Sequence, residues 1–301
     1  MFKHILVPLD GSKLAEAALP PAASLAKTIH TPITLLHMIE KNAPEAVHKD
    51  RHLTQPEEAD EYLQQVARQF FSKESQVDWH VHKAEIKDVA RSIVEHASEL
   101  EPDLIVMCSH GRGNVHDVLF GSIAQQVLAQ GETPLLLLQP KKPSEPQPFE
   151  LHRILVPLDS ESNHDESLPV AEYLAKAYQA ELHLLSVIPT FGTLSGEQAA
   201  AGTLMPGTTS VYLDMKEDLA KQRLQDHLNG LSERGLQISA EVGRGDPAQT
   251  IVNVADQIDA DLILLSTHRK AGLDAFWARS VAPNVTRQTT IPILFIPLPI
   301  A

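Results

Sequence analysis

The sequence predicts two α/β domains in tandem, each a doubly wound, Rossmann-like fold around a five-stranded parallel sheet. The first observation is a duplication, because residues 4–10 (HILVPLD) reappear as residues 153–159 (RILVPLD). Two further matches keep the same order along the chain: residues 103–107 with 261–265, and residues 133–138 with 291–296. A repeat of this length indicates that a whole domain was duplicated.

The second observation is the rhythm of each copy, in which short apolar runs alternate with amphipathic runs. This pattern is typical of parallel strands covered by helices on both faces. In copy one we expect strands at residues 4–9, 31–38, 77–83, 103–108 and 134–138. We expect helices at residues 13–29, 56–74 and 88–100 and after Gly121, with Ser12 capping the first helix and a polar loop at 39–55.

The third observation concerns length, since 301 residues suit two domains that each bury a core. We expect domain 1 at residues 1–140, a proline-rich linker at 141–150 and domain 2 at 151–301. The first strands match at an offset of 149 and the fourth strands at 158, so copy two contains nine extra residues between them. The Gly-, Thr-, Ser- and Pro-rich residues 189–210 are the expected place, either as a plain surface loop or as a loop above the ligand edge of the sheet.

Composition limits the class of protein. The formal charge is −14, and each half carries seven more acidic than basic residues. Binding of nucleic acid and adhesion to anionic membranes are disfavoured, because both rely on basic patches. The single cysteine, Cys108, excludes an internal disulfide and fits a reducing compartment. No apolar run approaches the roughly 20 residues that span a bilayer, and no signal segment is recognised, so we expect a cytoplasmic protein without membrane insertion.

The strongest chemical pattern follows the fourth strand of copy one. Gly111 and Gly121 would allow a ligand to approach the backbone closely. Ser122, at the start of a helix, would add a hydroxyl and free backbone N–H groups, which favour an anion. Arg112 would add charge-assisted bonds to phosphate oxygens. The alternative is an ordinary glycine-containing turn before a helix.

This arrangement resembles the universal stress protein family, whose ATP-binding members carry Gly-x2-Gly-x9-Gly-(Ser/Thr) at this point. Gly111, nine intervening residues and the pair Gly121-Ser122 match the second half of that pattern, and Cys108 replaces the first glycine. The resemblance extends to ILVPLDGS at residues 5–12, to LLHM at 35–38 and to the strand at 134–138. It covers both copies and therefore nearly the whole chain.

The resemblance implies an ATP-binding stress-response or regulatory protein that holds its nucleotide in domain 1, with domain 2 mainly structural. Asp10 would contact the nucleoside, Met38 would pack on the adenine, and the glycines would hold the phosphates, with Mg²⁺ left open. The residues of domain 1 that it assigns to the nucleotide are Pro8, Asp10, Met38, Met107, Cys108, His110, Gly111, Arg112, Gly121, Ser122 and Ile123.

The resemblance also has implications for partners. In single-domain relatives the last strands pair domains into dimers, so the two copies are expected to form a pseudo-dimer within one chain. A further homo-oligomer, such as a dimer of chains, or another protein partner is also implied.

Copy two departs from this pattern in its phosphate loop. Arg269 and Arg279 replace the two matching glycines, and Ser280 follows. These arginines would either close the site or bind a smaller anion, and closure is favoured because their side chains would displace the close backbone approach. Asp159 and Val187 keep the nucleoside-side pattern, so a base or nucleoside at a second site stays open.

Two other functions are alternatives to an ATP-binding regulatory protein. An interaction module without nucleotide is the first alternative, and a weak ATPase or nucleotidyl transferase is the second, since related folds host such enzymes. No catalytic residue is assigned and an efficient enzyme is not expected. Residues 243–248 (GRGDPA) fit a loose dinucleotide pattern but are interpreted as a helix start.

Fifteen histidines raise the question of a metal site. His48 and His52 are spaced i, i+4, and His80 and His82 would share one strand face. Neither pair has a recognisable third ligand in the sequence, so no metal site is expected.

Overall fold

The structure is a computed structural model that describes residues 1–47, 50–109, 122–140, 149–159, 165–194, 196–267 and 281–298. It divides the chain into two compact units. Among the described residues, unit 1 contains those of Met1–Glu150 together with 292–298, and unit 2 contains those of Leu151–Thr267 together with 281–291. Most of the predicted linker at 141–150 lies outside the described residues, and the predicted domain boundaries stay a prediction.

Copy one alternates strands and helices as its sequence predicts. Its elements in chain order are β1 (Ile5–Pro8), α1 (Lys13–Glu16), α2 (Leu19–Ile29), β2 (Ile33–Glu40), β3 (Ala46–Val47), β4 (Asp50–Arg51), α3 (Pro56–Phe70), β5 (Val77–Ile86), α4 (Val89–Leu100), β6 (Leu104–Cys108), α5 (Ser122–Gln130) and β7 (Leu135–Leu138).

Two details of copy one correct the prediction. The helix expected over residues 13–29 is two helices, because Pro20 and Pro21 lack the backbone N–H groups needed to continue α1 and lie instead in the first turn of α2. The loop expected at residues 39–55 contains the small antiparallel pair of β3 and β4. Ser12 does cap α1 as predicted, since its hydroxyl accepts the N–H of Ala15 at 3.1 Å.

The main sheet of unit 1 has the strand order β7-β6-β1-β2-β5, and every neighbouring pair in that series is parallel. The predicted five-stranded parallel sheet is therefore confirmed for copy one. Ile5 lies between Ile33 of β2 and Leu104 of β6, and all three side chains are buried. The apolar run of β1 is buried on both faces because helices cover the sheet on both sides.

Copy two repeats the plan with a longer connection after its second strand. Its elements in chain order are β8 (Arg153–Leu158), α6 (Ser167–Tyr178), β9 (Glu181–Ile188), a 3-10 turn (Phe191–Thr193), α7 (Gly196–Leu204), α8 (Pro206–Ser232), β10 (Ile238–Arg244), α9 (Pro247–Gln257), β11 (Leu262–Thr267), α10 (Val281–Gln288) and β12 (Ile293–Pro297). Within unit 2 the strand order is β11-β8-β9-β10, and the pairs are parallel.

The last strand of copy two belongs to unit 1. β12 pairs antiparallel with β7, so that Ile293 faces Leu137 and Phe295 faces Leu135. Phe295 is fully buried. The pairing of the two last strands that the resemblance implies is thus present, and unit 1 is completed by a strand that the second copy encodes.

Most of the segment at 189–210 is helical, because α7 covers Gly196–Leu204 and α8 begins at Pro206, which corrects the prediction of a loop there. Pro206 begins α8, where its missing N–H is no disadvantage. Leu213, Ala220 and Leu224 bury one face of this helix at helical spacing. Gly, Thr and Ser suggested a loop, but burial of an apolar face outweighs their weak helix propensity.

The opposite face of α8 is exposed and carries Val211, Met215 and Leu219, one turn apart. We call these three residues the apolar stripe. Among the described residues, no helix has the length and apolarity needed to cross a membrane.

Candidate functional site

The strand order of unit 1 places a switch point between β1 and β6. From β1 the chain proceeds outward to β2 and β5, whereas from β6 it proceeds the other way to β7. In open α/β sheets, ligands bind at the carboxyl ends of the strands at such a point. Asp10 follows β1 here, and Cys108 ends β6.

The Asp10 side chain is held in place by the turn that follows β1. Its Oδ1 accepts the backbone N–H of Ser12 at 2.9 Å and the hydroxyl of Ser12 at 2.6 Å. Gly11 has φ of +87°, and a Cβ there would lie 2.9 Å from the side chain of Leu53. The sequence Asp-Gly-Ser thus fixes the carboxylate at the strand end and caps α1 in one turn.

Cys108 lies close enough to Asp10 for the charge of that carboxylate to affect the pKa of the Cys108 thiol. Burial raises the pKa of the Cys108 thiol, and the negative charge of Asp10 raises it further. The thiol is therefore neutral and has none of the thiolate character that a nucleophile requires. Its small side chain is half-buried at the end of β6.

His37 of β2 connects the end of β1 to the chain segment beyond β4. Its Nδ1 lies 2.8 Å from the carbonyl oxygen of Leu9, and its Nε2 lies 3.2 Å from that of Leu53. Burial lowers the pKa of His37, although both carbonyls and the charge of Asp10 oppose this shift. The neutral ring donates to one of the two carbonyls and braces the Asp10 turn. Sequence reasoning gave His37 no role, although an imidazole inside a buried apolar strand was a signal for one.

Tyr62 of α3 was also missed. Its hydroxyl is buried and makes no hydrogen bond to the residues that the structure describes. Burial raises the pKa of this hydroxyl, and the charges of Glu16, Asp10 and Asp50 raise it further. The surroundings of this hydroxyl are therefore acidic.

The other predicted residues of domain 1 fall into two groups. Met38 and Met107 are buried, Pro8 is half-buried, and Ile123 in the first turn of α5 is 39% exposed. His110, Gly111, Arg112 and Gly121 lie outside the described residues, as does the side chain of Ser122. The described part of the predicted site is therefore the pair of strand ends where Asp10 and Cys108 come together.

The corresponding switch point of unit 2 lies between β8 and β11, and Asp159 follows β8. Arg223 of α8 donates from Nη1 to the carbonyl oxygen of Asp159 at 3.4 Å, and its Nη2 lies 3.5 Å from Oδ1 of Asp165. His227 approaches the same carboxylate, with Nε2 at 3.0 Å from Oδ2. Together with Ser186 these residues line a shallow pocket.

A second cation of α8 also approaches this strand end. Burial lowers the pKa of Lys216, and the charge of Asp159 opposes the shift. Lys216 and Arg223 are seven residues apart and therefore lie on one face of the helix. Sequence reasoning gave neither residue a role. Val187 is half-buried in β9, and Arg269, Arg279 and Ser280 lie outside the described residues.

Sequence reasoning found no third ligand for His80 and His82, and that is wrong, because α4 brings His96 against β5. The expectation that no metal binds there stays a prediction. Burial and the charges of His96 and His82 lower the pKa of His80. The contact joins residues more than a dozen positions apart, so no local spacing could reveal it. His48 of the other pair lies outside the described residues.

The pattern at residues 243–248 is confirmed as a helix start. The Asp246 carboxylate accepts the N–H of Gln249 at 2.9 Å and caps α9.

The fold and the polar strand ends define a doubly wound α/β protein in two copies. A family model described as the universal stress protein family matches residues 1–139 and residues 150–297. The chain therefore belongs to the universal stress protein family and carries its domain twice.

Individual relatives agree with this assignment. A universal stress protein of Mycolicibacterium smegmatis is 23% identical over 307 residues, covering 97% of this chain and 96% of its own. Universal stress protein Sll1654 of Synechocystis is 30% identical over 138 residues, which are 46% of this chain and 86% of that protein. The solved structure of a universal stress protein from Archaeoglobus fulgidus has 18% identity and a TM-score of 0.70, covering 98% of this chain and 96% of its own. The last similarity supports the fold alone.

Proposed function

We propose that this chain is a stress-response or regulatory protein of the cytoplasm that binds an adenine nucleotide, ATP, in copy one. Copy two is mainly structural. The position of Asp10 carries the proposal, because its carboxylate is held at the switch point of unit 1, where a ribose hydroxyl is the natural partner. Regulation fits better than catalysis, since no general base or activated nucleophile is identified among the described residues.

The glycine pattern of the sequence supports the phosphate side of this site. Gly111 and Gly121 match the spacing of ATP-binding family members, and Ser122 begins α5. The acidic surroundings of Tyr62 favour a pose in which the nucleoside lies near Asp10 and the phosphates lie toward Ser122.

A titration of ATP into the full chain, with and without MgCl2, tests the proposal. Asp10→Asn keeps an oxygen that accepts from Ser12 but removes the charge, and we expect it to weaken ATP binding at least tenfold. Asp159→Asn is the matched control in copy two and should leave the affinity unchanged. Equal effects of the two substitutions, or no binding of ATP to the unsubstituted chain, would contradict the proposal.

A protein-interaction role is the second candidate, and the apolar stripe of α8 favours it. Met215 is 66% exposed and Val211 is 59% exposed. Contiguous exposed apolar side chains mark interaction surfaces on soluble proteins. We propose a second copy of this chain as the partner. Light scattering should show a dimer that Met215→Lys converts to monomer, whereas Gln225→Lys, further along α8, should leave it intact. A monomeric unsubstituted chain would remove this candidate.

A further inference from the structure

Three imidazole rings from two elements of unit 1 come together at the edge of its sheet. His80 and His82 belong to β5, and His96 belongs to α4. The ligand nitrogens of the three rings all lie within 4.8 Å of one another. The ring centroids of His82 and His96 are 4.9 Å apart, and those of His80 and His96 are 5.4 Å apart.

The fold explains why these rings meet. His80 and His82 are two positions apart in a strand, so their side chains point to the same face. Their parallel partners in β2 are Leu36 and Met38. Asp88 caps α4 at its start by accepting the N–H of Arg91 at 3.0 Å, and the helix then carries His96 to the rings of β5.

His96 is the anchor of the cluster. It is 5% exposed, and its Nδ1 lies 2.8 Å from the carbonyl oxygen of Ser92. A carbonyl only accepts, so Nδ1 carries the proton and donates it. In the neutral ring Nε2 then holds the lone pair. Histidine ligands of metals commonly donate their second nitrogen to a carbonyl in this way, which fixes the ring and raises its basicity.

We propose that His80, His82 and His96 form a binding site for a divalent transition-metal ion such as Zn²⁺. Nitrogen ligands of Zn²⁺ lie at about 2.0–2.1 Å from the metal, which puts tetrahedral neighbours about 3.3 Å apart. The rings must therefore approach one another by about an ångström or more. His80 is exposed and His82 is half-buried, so both side chains have room to turn toward the fixed Nε2 of His96.

The chemistry of the donors decides the class of metal. Three neutral imidazoles suit Zn²⁺, Ni²⁺ and Cu²⁺, whereas Mg²⁺ and Ca²⁺ prefer oxygen ligands. Water would occupy the fourth position, as in zinc sites with three protein ligands. Glu99 follows His96 by about one turn of α4, and its negative charge acts on His80, where it opposes the lowering of the pKa. A carboxylate near the three rings favours a bound cation without needing to coordinate it directly.

The proposed site is independent of the nucleotide proposal. His82 pairs in register with Met38, the predicted adenine contact, but the three rings use no residue of the predicted phosphate loop. A metal here would clamp α4 to the edge strand β5. We expect that clamp to stabilise unit 1 when the metal is bound, because the unfolded chain lacks the assembled site.

The first experiment measures zinc binding to the full chain after treatment with EDTA. The chain has fifteen histidines, so weak binding elsewhere must be separated from the proposed site. We expect His80→Gln and His82→Gln each to weaken the tightest Zn²⁺ site at least tenfold. The double substitution should remove one equivalent of bound Zn²⁺. His30→Asn is the control, because it removes an exposed histidine at a left-handed position that asparagine tolerates.

The second experiment replaces Zn²⁺ by Co²⁺ and records visible absorption, which reports nitrogen coordination directly. Circular dichroism melting of each variant establishes that it is folded. The substituted positions are the more exposed His80 and His82, because replacing the buried His96 would risk unfolding the chain. Stoichiometry and affinity equal to those of the unsubstituted chain in the double variant would overturn the proposal. Failure of the unsubstituted chain to bind Zn²⁺ at 0.1 mM, about 5.5 kcal/mol in binding free energy, would overturn it as well.

Discussion

The two copies present an aspartate at the same point of the sheet, but their surroundings differ. In copy one Oδ1 of Asp10 accepts two hydrogen bonds from Ser12, and the neighbouring Tyr62 lies among acidic groups. In copy two Arg223 donates to the carbonyl oxygen of Asp159, and Lys216 lies within reach of its charge. The sheet and its switch point are the same in both. In copy two the helix after the second strand, α8, brings cations to the strand end, whereas in copy one α1 and β4 bring acidic groups to Tyr62.

The largest expected effect is a loss of stability, and it tests whether β12, although encoded by copy two, belongs to unit 1. Phe295→Ala removes a fully buried ring from β12, and we expect it to lower the free energy of unfolding by about 3–5 kcal/mol. Although copy two encodes Phe295, the loss should appear in unit 1, and amide hydrogen exchange of β7 should report it. Leu204→Ala, at an exposed position of α7, should change the stability by less than about 0.5 kcal/mol. Loss of protection confined to β8 and β9 would contradict this view of unit 1.

The next prediction exchanges the phosphate loops of the copies. Gly121→Arg gives copy one the residue that copy two has at position 279, and we expect ATP affinity to fall at least 100-fold, or about 2.7 kcal/mol. The guanidinium side chain would occupy the space that glycine leaves for phosphate. Gly121→Ala is the matched control and should show a smaller loss. Calorimetry that finds unchanged affinity for Gly121→Arg would refute the phosphate site.

The reverse exchange sharpens the same comparison. Arg269→Gly combined with Arg279→Gly removes both cations from the loop of copy two. If these arginines close a second site, the stoichiometry of ATP binding should rise from one to two per chain. An unchanged stoichiometry would indicate that other groups, such as Arg223 and Lys216, keep copy two closed.

The smallest expected effect concerns the first helix of each copy. The Ser12 hydroxyl caps α1, whereas Glu166 at the start of α6 makes no capping hydrogen bond through its side chain. Ser12→Ala should therefore lower the free energy of unfolding by about 1 kcal/mol, and Glu166→Ala should leave it nearly unchanged. Urea unfolding followed by circular dichroism measures both. Equal losses of stability in the two variants would mean that the Ser12 cap does not stabilise copy one more than Glu166 stabilises copy two.

Much of the fold follows from the sequence because local patterns and a duplication determine it. The apolar runs at Ile5–Pro8 and Leu104–Cys108 predicted their strands closely, and the repeat predicted the tandem organisation. Helix α7 and the first residues of α8, up to residue 210, were not predicted, because burial of an apolar face by tertiary packing stabilises α8 and its Gly- and Thr-containing start does not indicate a helix.

The candidate site was predictable only in part, for a related reason. The position of Asp10 at the end of β1 was predicted, because it follows a short apolar run, and its role in binding stays a prediction. His37, Tyr62 and Arg223 were missed because their roles depend on contacts made across the fold, and no spacing in the sequence encodes those contacts. The histidine cluster shows the same limit, since His96 reaches β5 only after α4 has packed.

The antiparallel pairing of β12 with β7 has a consequence for any attempt to separate the copies. A polypeptide that ends after β7 would leave the row of hydrogen-bonding groups of Leu135–Leu138 without the neighbour that it has in the intact chain. Such a fragment would be prone to self-association or aggregation. Conversely, two fragments cut between the copies should recognise each other in solution, so this protein is suited to split-fragment complementation.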